Sequence, residues 1–333
     1  MKAVMTEYGT VREGGAGLID LSSARGRIRV SGAEATMFLN GLMTNDMKTL
    51  APNSWMPSVF PTVQGRLIGV VRVIRGGEPS FLIDTETPSH DAVLKTISRF
   101  TMAGDFKVSD VTTETALLTV QGQLAGEVME KVFEMRASEM PANGVSEVEW
   151  QKIPVTIIRA THTGENGFDV LPDSSQKAEI LQALENAGAQ PIGDDTFDVL
   201  RVEAGIARFG RDIDETNVVP ETNLDDAISF SKGCYVGQEI IVRIKHRGHP
   251  AKKLTGLRFE TDVQIEPDAT IRSTENREIG RVTSAVISPR MGSIGLGFVR
   301  YEHLAEGTRV LVGDGINATV TGLPFVNVES ING

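Results

Sequence analysis

The stretch HRGHPAKKLTGLRFE at residues 246–260 is where the pattern of the chain changes. After it, short runs of alternating apolar and polar residues recur about every ten residues, with Gly, Pro and Asp between them. The runs are Leu254–Phe259, Arg281–Ile287, Gly295–Val299, Arg309–Val312 and Ala318–Leu323. Such spacing is typical of a small β-barrel or sandwich. The sequence therefore predicts a domain boundary near residue 250, which divides the chain into residues 1–250 and 251–333.

Helix and strand signals alternate before this boundary, so the first part is predicted to contain both helices and strands. Strands are predicted over Arg27–Val30, Trp55–Phe60, Leu67–Ile74 and Pro79–Thr85. Helices are predicted over residues 89–103, 124–134 and 174–186. Ser31 followed by Glu34 forms a capping-box pattern that predicts one more helix start. Residues 135–150 are acidic and less patterned, which indicates a surface connection.

Composition and charge exclude several classes of protein. The 333 residues include 33 Lys and Arg against 44 Asp and Glu, a net charge of −11, and an acidic chain is a poor general binder of phosphate backbones. The single cysteine excludes an internal disulfide and a cysteine-rich metal cradle. A membrane-spanning helix needs about 20 apolar residues, and the longest apolar run, Leu67–Ile74, already contains Arg72. Without a secretory signal, we expect a cytoplasmic protein.

The most unusual stretch is SKGCYVGQEIIVR, residues 231–243, which holds the only cysteine. The apolar spacing after Cys234 fits a helix, and a thiol at a helix N-terminus beside a lysine is favoured as the thiolate. This pattern predicts a reactive Cys234 with Lys232 nearby. The alternative is a buried structural thiol, because free cysteine is among the most buried residue types.

The loop THTGENG at residues 161–167 presents one carboxylate, Glu165, between two glycines at a predicted hairpin tip. A carboxylate held by a tight turn can accept two parallel hydrogen bonds from an amidine-like pair of donors, such as the N3 and 2-amino groups of a pterin ring. The alternative is an ordinary polar hairpin, and the loop alone favours it.

Carboxylates also crowd the stretch RVEAGIARFGRDIDE that begins at Arg201. A calcium-binding loop that starts at Asp212 is rejected, because its sixth residue would be Asn217 rather than Gly and its twelfth would be Asn223 rather than Glu. Arg201 lies three residues after Asp198 on the same predicted helical face, so a surface ion pair is a further interpretation.

Basic residues are concentrated in residues 243–253. They are Arg243, Lys245, Arg247, Lys252 and Lys253. This local reversal of charge would suit a polyanion, such as a polyglutamate tail or an RNA phosphate, and the alternative is a solvated basic linker. His246 and His249 lie in the same run but have no partner ligands, so no metal site is predicted. The sequence contains no P-loop and no dinucleotide-binding fingerprint.

Six segments, taken in order, resemble the folate-binding superfamily of the glycine-cleavage T-protein over nearly the whole chain. They are GLIDLS (17–22), VSGAEATMFLNGLMTND (30–46), QGRL (64–67), TGENGFDV (163–170), RVEAGIARFGRDIDET (201–216) and KGCYVGQE (232–239). The last string resembles the YgfZ-like branch, whose bacterial and mitochondrial members support iron–sulfur proteins. The resemblance implies an α+β clover-leaf of three domains around a central channel for tetrahydrofolate. An interleaved pair of domains would occupy residues 1–250, and a C-terminal β-barrel residues 251–333.

The resemblance also implies roles for individual residues. Glu165 matches the carboxylate that holds the pterin, and Arg201 and Glu203 match an R-x-E-x-G motif that we interpret as mainly structural. The candidate catalytic residues are Cys234 and Lys232. The candidate folate-binding residues are Glu165, Arg201, Lys232 and Tyr235.

Two departures from the T-protein pattern bear on activity. T-proteins place a catalytic aspartate on the strand after the turn that matches Gly65, whereas Leu67–Val71 contains no acid. T-proteins also often carry a tyrosine before T-G-E, where this chain has His162. Because aminomethyl transfer needs a carboxylate beside the folate nitrogen, we do not expect glycine-cleavage activity.

The sequence thus favours a tetrahydrofolate-binding assembly or repair factor for iron–sulfur enzymes, with an effect on iron–sulfur-dependent tRNA modification. Its expected partners are folate and iron–sulfur client or assembly proteins, and it is expected to be a monomer away from membranes. One alternative is a folate-dependent aminomethyltransferase or one-carbon transferase that uses another acid. The other is an RNA-interaction module on the basic run, which the lack of stacking aromatics near that run disfavours.

Overall fold

The computed structural model describes residues 2–77, 80–99, 101 and 104–326. Its helices are α1 (Lys2–Arg12), α2 (Ala35–Leu42), α3 (Thr87–Ser98), α4 (Ala125–Phe133), α5 (Lys177–Asn186), α6 (Asp194–Glu203) and α7 (Gln238–His246). Its strands before residue 250 are β1 (Gly17–Asp20), β2 (Arg25–Ser31), β3 (Ser54–Pro61), β4 (Leu67–Arg75), β5 (Ser80–Glu86), β6 (Lys107–Asp110), β7 (Leu118–Gln121), β8 (Val145–Trp150), β9 (Ile153–Arg159), β10 (Gly167–Leu171) and β11 (Gln190–Pro191). The later strands are β12 (Lys252–Phe259), β13 (Thr270–Ser273), β14 (Glu278–Ser288), β15 (Gly292–Arg300), β16 (Arg309–Val312) and β17 (Ile316–Thr321). None of the helices in the described part of the chain is long and apolar enough to cross a membrane.

The strands before residue 250 form two sheets whose elements alternate along the chain. Sheet I has the order β3-β4-β5-β2-β6, and sheet II has the order β11-β1-β7-β10-β9-β8. All neighbours in both sheets are antiparallel except β1 and β11. Because β1 belongs to sheet II and β2 to sheet I, the chain passes between the sheets at the start, and the two α+β units are interleaved.

The strands after residue 250 close into a barrel with the order β12-β15-β14-β13-β16-β17. Closure is complete because β12 pairs with both β15 and β17. Together with the mixed sheets and helices, the barrel confirms the predicted α+β fold and decides between barrel and sandwich. Strand β13 had no sequence signal, because its four residues contribute one fully buried apolar side chain, Ile271.

Several local predictions need correction. Ser31 is the last residue of β2, and helix α2 begins at Ala35 with no side-chain cap. Glu34 instead accepts a hydrogen bond from the backbone N–H of Asp105 at 2.7 Å, so the capping box does not form. The predicted surface connection over residues 135–150 contains strand β8, in which Val145 and Trp150 are buried. Parts of the elements predicted at residues 79–85 and 89–103 lie outside the described residues, namely 79, 100, 102 and 103.

Helix α6 joins the three parts of the fold, since it packs against α1 and against β14 of the barrel. The carboxylate of Glu7 on α1 fixes its start by accepting hydrogen bonds from the N–H of Gly193 at 2.9 Å and the hydroxyl of Thr196. Carboxylates near a helix N-terminus are favoured by the exposed N–H groups and the helix dipole. The far end of α6 carries Arg201 and Glu203 into the junction.

Candidate functional site

A cavity of about 210 Å³ lies where sheet I, the loop after β9, helix α6 and the loop after it meet. Its lining includes the aromatic and charged residues Trp55, Arg72, Glu86, His162, Phe197 and Arg208. Pockets that enclose a drug-sized ligand measure about 300–1,000 Å³. The cavity therefore has room for a ring system rather than for a whole large ligand.

Two buried carboxylates hold Arg25, Arg72 and His162 of this lining. Asp84 on β5 lies 2.7 Å from the Nε of Arg25 and 2.7 Å from an Nη of Arg72. The same guanidinium lies 2.6 Å from Asp169 on β10, and Asp169 lies 3.0 Å from the Nε2 of His162. Since Asp84 belongs to sheet I and Asp169 to sheet II, Arg72 ties the two sheets together beside the cavity.

Both carboxylates of this network are held in the ionised form. Burial alone would raise the pKa of Asp169, but its interactions with His162 and Arg72 outweigh burial and hold that pKa well below its usual range. For Asp84, burial is likewise outweighed by Arg25 and Arg72, which lower its pKa. Buried charges are stable only when paired in this way.

The structure places Glu165 in a different network. Its carboxylate lies 2.8 Å from Arg12, whose guanidinium also pairs with the fully buried Glu203 at 2.9 Å. Glu203 further accepts hydrogen bonds from the hydroxyls of Tyr8, at 2.9 Å, and Ser288. Burial, and after it the negative charge of Glu203, raises the pKa of Tyr8 to about 12. Glu165 is not among the residues that line the cavity, so its predicted role as the pterin carboxylate would require it to leave Arg12, and Glu165→Gln tests this below.

Arg201 lines the cavity and is almost completely buried. It pairs with Asp198 at 2.7 Å and with Asp212, and it donates to the hydroxyl of Ser284 on the barrel at 2.6 Å. The pair with Asp198 that the sequence predicted is therefore present, but it lies inside the protein rather than on its surface. Arg201 fastens α6 to the barrel.

Lys232 and Tyr235 are buried away from the cavity lining. The ammonium of Lys232 donates to the carbonyls of Asn40, Met43 and Asn45 at 2.7, 2.8 and 2.7 Å, and burial lowers its pKa to about 8. Burial also raises the pKa of Tyr235 to about 12. Lys232 thus holds the end of α2 and the turn after it, and its ammonium is directed at these carbonyls.

Cys234 is exposed, which excludes the buried structural thiol. Helix α7 begins at Gln238, after Gly237 in the left-handed conformation at φ 79°, so the helix predicted after Cys234 is present, but Cys234 itself lies before the first turn of this helix. Of the β-branched residues that gave the apolar spacing, Ile240, Ile241 and Ile244 belong to α7, whereas Val236 lies in the loop before it. Cys234 lies in this loop, beside the buried Lys232.

We predict that Cys234 reacts with a small alkylating agent in the native state. Its exposure makes the sulfur accessible without unfolding, and substitution of an exposed residue changes stability by less than about 0.5 kcal/mol. Mass spectrometry of the folded protein should therefore show one modification, and Cys234→Ala should abolish it without lowering the unfolding temperature. Modification that appears only in denaturant would contradict this exposure.

The basic run forms part of α7 and the loop after it, with Arg243, Lys245 and Arg247 exposed. Aromatic rings do lie beside it, contrary to expectation. Phe230 lies 3.2 Å from the Nζ of Lys245, measured to the ring centroid, and His249 stacks on Tyr301 at 3.5 Å. Tyr301 was missed because it comes from a distant part of the sequence. The described residues contain no group of three or more side chains placed to hold a metal ion.

Sequence reasoning missed the network of Asp84, Arg72 and Asp169. A signal was present, because each is a charged residue inside a strand whose neighbours are apolar: VVRVI, FLIDT and GFDVL. A charge in a buried strand needs a partner, but the sequence does not show which strand supplies it.

Comparison with known proteins places the chain in a family. Residues 1–232 match the GCVT N-terminal domain, and residues 252–327 match the glycine cleavage T-protein C-terminal barrel domain. The chain belongs to this family, which binds tetrahydrofolate. The match does not extend to the YgfZ-like branch, which stays a prediction.

Individual relatives cover almost the whole chain at low identity. An aminomethyltransferase of Parafrankia sp. is 28% identical over 98% of this chain and 90% of its own length. A putative chloroplastic transferase of Arabidopsis thaliana is 25% identical, over 94% of this chain and 72% of its own length. The crystal structure of the glycine cleavage system aminomethyltransferase T from Bartonella henselae superposes with a TM-score of 0.89 at 24% identity, over 97% of this chain and 89% of that one, which shows the shared fold.

Proposed function

We propose that this protein is a folate-dependent one-carbon transferase that binds the pterin ring of tetrahydrofolate in the central cavity. The observation that carries the proposal is the cavity itself, a ring-sized space whose lining includes Trp55, Phe197 and several polar groups, in a chain of the folate-binding T-protein family. Such a combination of apolar walls and few directed polar groups is usual in ligand sites. At about 210 Å³ the cavity takes the ring, and the rest of the folate extends out of it.

Calorimetry with tetrahydrofolate tests this proposal. Ala207 lines the cavity, so Ala207→Trp should fill it and weaken binding at least tenfold. Val63 is 68% exposed on the turn between β3 and β4, and Val63→Trp is the matched control that should bind as the wild type does. Wild-type protein that binds no tetrahydrofolate, or equal binding by both variants in the folded state, would exclude the cavity as the binding site of the pterin ring.

We predict that the protein does not support glycine cleavage. Strand β4 faces the cavity with Val70 and Arg72, and no acid lies between Leu67 and Val71. Reconstitution with the other glycine-cleavage components should therefore produce no methylenetetrahydrofolate above the background without this protein. A rate comparable with that of a genuine T-protein in the same assay would contradict the prediction.

Glu165 is tested separately. Because its carboxylate pairs with Arg12 and does not line the cavity, we expect Glu165→Gln to change the dissociation constant of tetrahydrofolate by less than about twofold. If Glu165 instead left Arg12 to hold the pterin, the loss of a charge-assisted hydrogen bond, about 1.5–3 kcal/mol, would weaken binding at least tenfold. Calorimetry on the folded variant distinguishes the two outcomes.

Support of iron–sulfur enzymes is a second candidate function, and the exposed Cys234 within KGCYVGQE favours it. In this proposal the thiol contacts a client or assembly protein, and the protein acts as a cytoplasmic monomer. Complementation of cells that lack the protein is the test: Cys234→Ala should fail to restore iron–sulfur enzyme activity although it folds normally. Full complementation by Cys234→Ala would remove Cys234 from any such role.

A further inference from the structure

His162 lies in the wall of the cavity, in the loop that follows β9. Its Nε2 is 3.0 and 3.1 Å from the two carboxylate oxygens of Asp169, and its ring meets the edge of Phe197 with centroids 6.4 Å apart. Only 15% of its side chain is exposed, and Asp169 is fully buried. The imidazole is therefore held in one orientation by a carboxylate behind it and an aromatic ring beside it.

The partner on Nε2 determines which ring nitrogen carries the proton. An ionised carboxylate only accepts hydrogen bonds, so the Nε2 that faces Asp169 carries the hydrogen. In a neutral ring this leaves the lone pair on Nδ1. No described residue forms a hydrogen bond with Nδ1, and the ring that carries this nitrogen lines the cavity.

The acids near the cavity are not available in the same way. Asp84 and Asp169 are buried against arginines. Glu86 lines the cavity, but one of its oxygens accepts from the Nε of Arg208 at 3.2 Å and the other from the backbone N–H of Phe209. Among the described residues of the lining, His162 thus offers a ring nitrogen that accepts no hydrogen bond, whereas each oxygen of Glu86 already accepts one.

We propose that His162, oriented by Asp169, is the catalytic residue that transfers the proton during one-carbon transfer in this cavity. The inference rests on the proposed function, and it assigns to His162 the task that the missing acid of β4 performs in T-proteins. Asp169 is a positioning residue, because it acts only through the imidazole.

The proton balance of such a step is simple. As the folate amine forms its nitrogen–carbon bond with the one-carbon donor, Nδ1 of His162 takes the proton that this nitrogen loses. The bond between the transferred carbon and the heteroatom of the donor breaks, and its electron pair goes to that heteroatom. The imidazolium then returns the proton to the same heteroatom. The step needs no oxidant or reductant, and His162 ends in its starting form.

The first test is a ¹⁵N nuclear magnetic resonance measurement on the full chain with labelled histidine. His162→Gln identifies the resonances, and the exposed His249→Gln serves as the control. We expect free His162 to carry its proton on Nε2 with Nδ1 unprotonated, Asp169→Asn to shift this tautomer, and saturating tetrahydrofolate to move the Nδ1 resonance. A proton on Nδ1 in the free neutral ring, or an Nδ1 resonance that saturating tetrahydrofolate leaves unchanged, would overturn the assignment.

The second test uses formaldehyde as the one-carbon donor and follows its condensation with tetrahydrofolate above the buffer rate. General acid–base catalysis contributes about 10²–10⁴-fold, so His162→Gln should lose at least tenfold of the acceleration, while calorimetry shows tetrahydrofolate affinity within about threefold of wild type. Equal acceleration by His162→Gln, or none by a wild-type protein that binds tetrahydrofolate, would overturn the role of His162 and leave the folate site intact. Absence of tetrahydrofolate binding would instead refute the proposed function.

Discussion

Replacing Arg72 with methionine should lower the free energy of unfolding by about 3–5 kcal/mol, the usual cost of removing one partner from a buried ion pair. The guanidinium neutralises both Asp84 and Asp169, and it also lies over the ring of Trp55, 5.6 Å from the ring centroid. Methionine would fill most of the volume but leave Asp169 without a guanidinium, with His162 and Thr119 as its remaining partners. Equilibrium urea denaturation of the two proteins measures the difference.

Arg136→Met is the matched control for this effect. Arg136 pairs with Glu139 at 2.6 Å, but the two side chains are 79% and 64% exposed. Exposed pairs contribute about 0–1 kcal/mol, so this variant should unfold at nearly the wild-type urea concentration. Losses of similar size in the two variants would show that Arg72 does not tie the sheets together.

Glu203→Leu should have a similarly large effect on stability, about 3–5 kcal/mol. Its carboxylate is fully buried and is shared by Arg12, Tyr8 and Ser288, which come from α1 and from the barrel. Leucine would leave a buried guanidinium and two hydroxyl groups with unpaired hydrogen-bonding atoms.

Glu165→Gln is the control within the same network. Glu165 is the other carboxylate that pairs with Arg12, but 23% of its side chain is exposed. Water can therefore replace part of the interaction with the guanidinium that the substitution removes. Urea denaturation should show a loss well below that of Glu203→Leu. A smaller loss for Glu203→Leu than for Glu165→Gln would contradict the assignment of Glu203 as the centre of the network.

Local sequence patterns were enough for most of the barrel. The run Arg309–Val312 coincides with β16, and Leu254–Phe259 lies within β12. Alternation is a local property, so a strand with one buried face is visible in isolation. Strand β13 of the barrel was missed because it has too few apolar residues to form a pattern, and β8, outside the barrel, was missed because its apolar residues alternate with acids.

The candidate site was less predictable for a physical reason. Pairing between charged residues depends on how strands of different sheets are placed, and Arg72 meets Asp169 across 97 positions of sequence. The position of Lys232 in the sequence suggested an effect on Cys234, whereas its ammonium is directed at three carbonyls. His162 was visible only as a departure from the resembled family, and its carboxylate partner became visible with the pairing of β9 and β10.

A crystal structure, from crystals grown with saturating tetrahydrofolate, would show directly whether the pterin ring binds in the cavity. We expect electron density for the pterin ring inside the cavity, beside Trp55 and Phe197 and within hydrogen-bond distance of Nδ1 of His162, with Glu165 still paired to Arg12. Pterin density at any other place on the protein, or a cavity without density in a crystal of protein that binds tetrahydrofolate in solution, would contradict it.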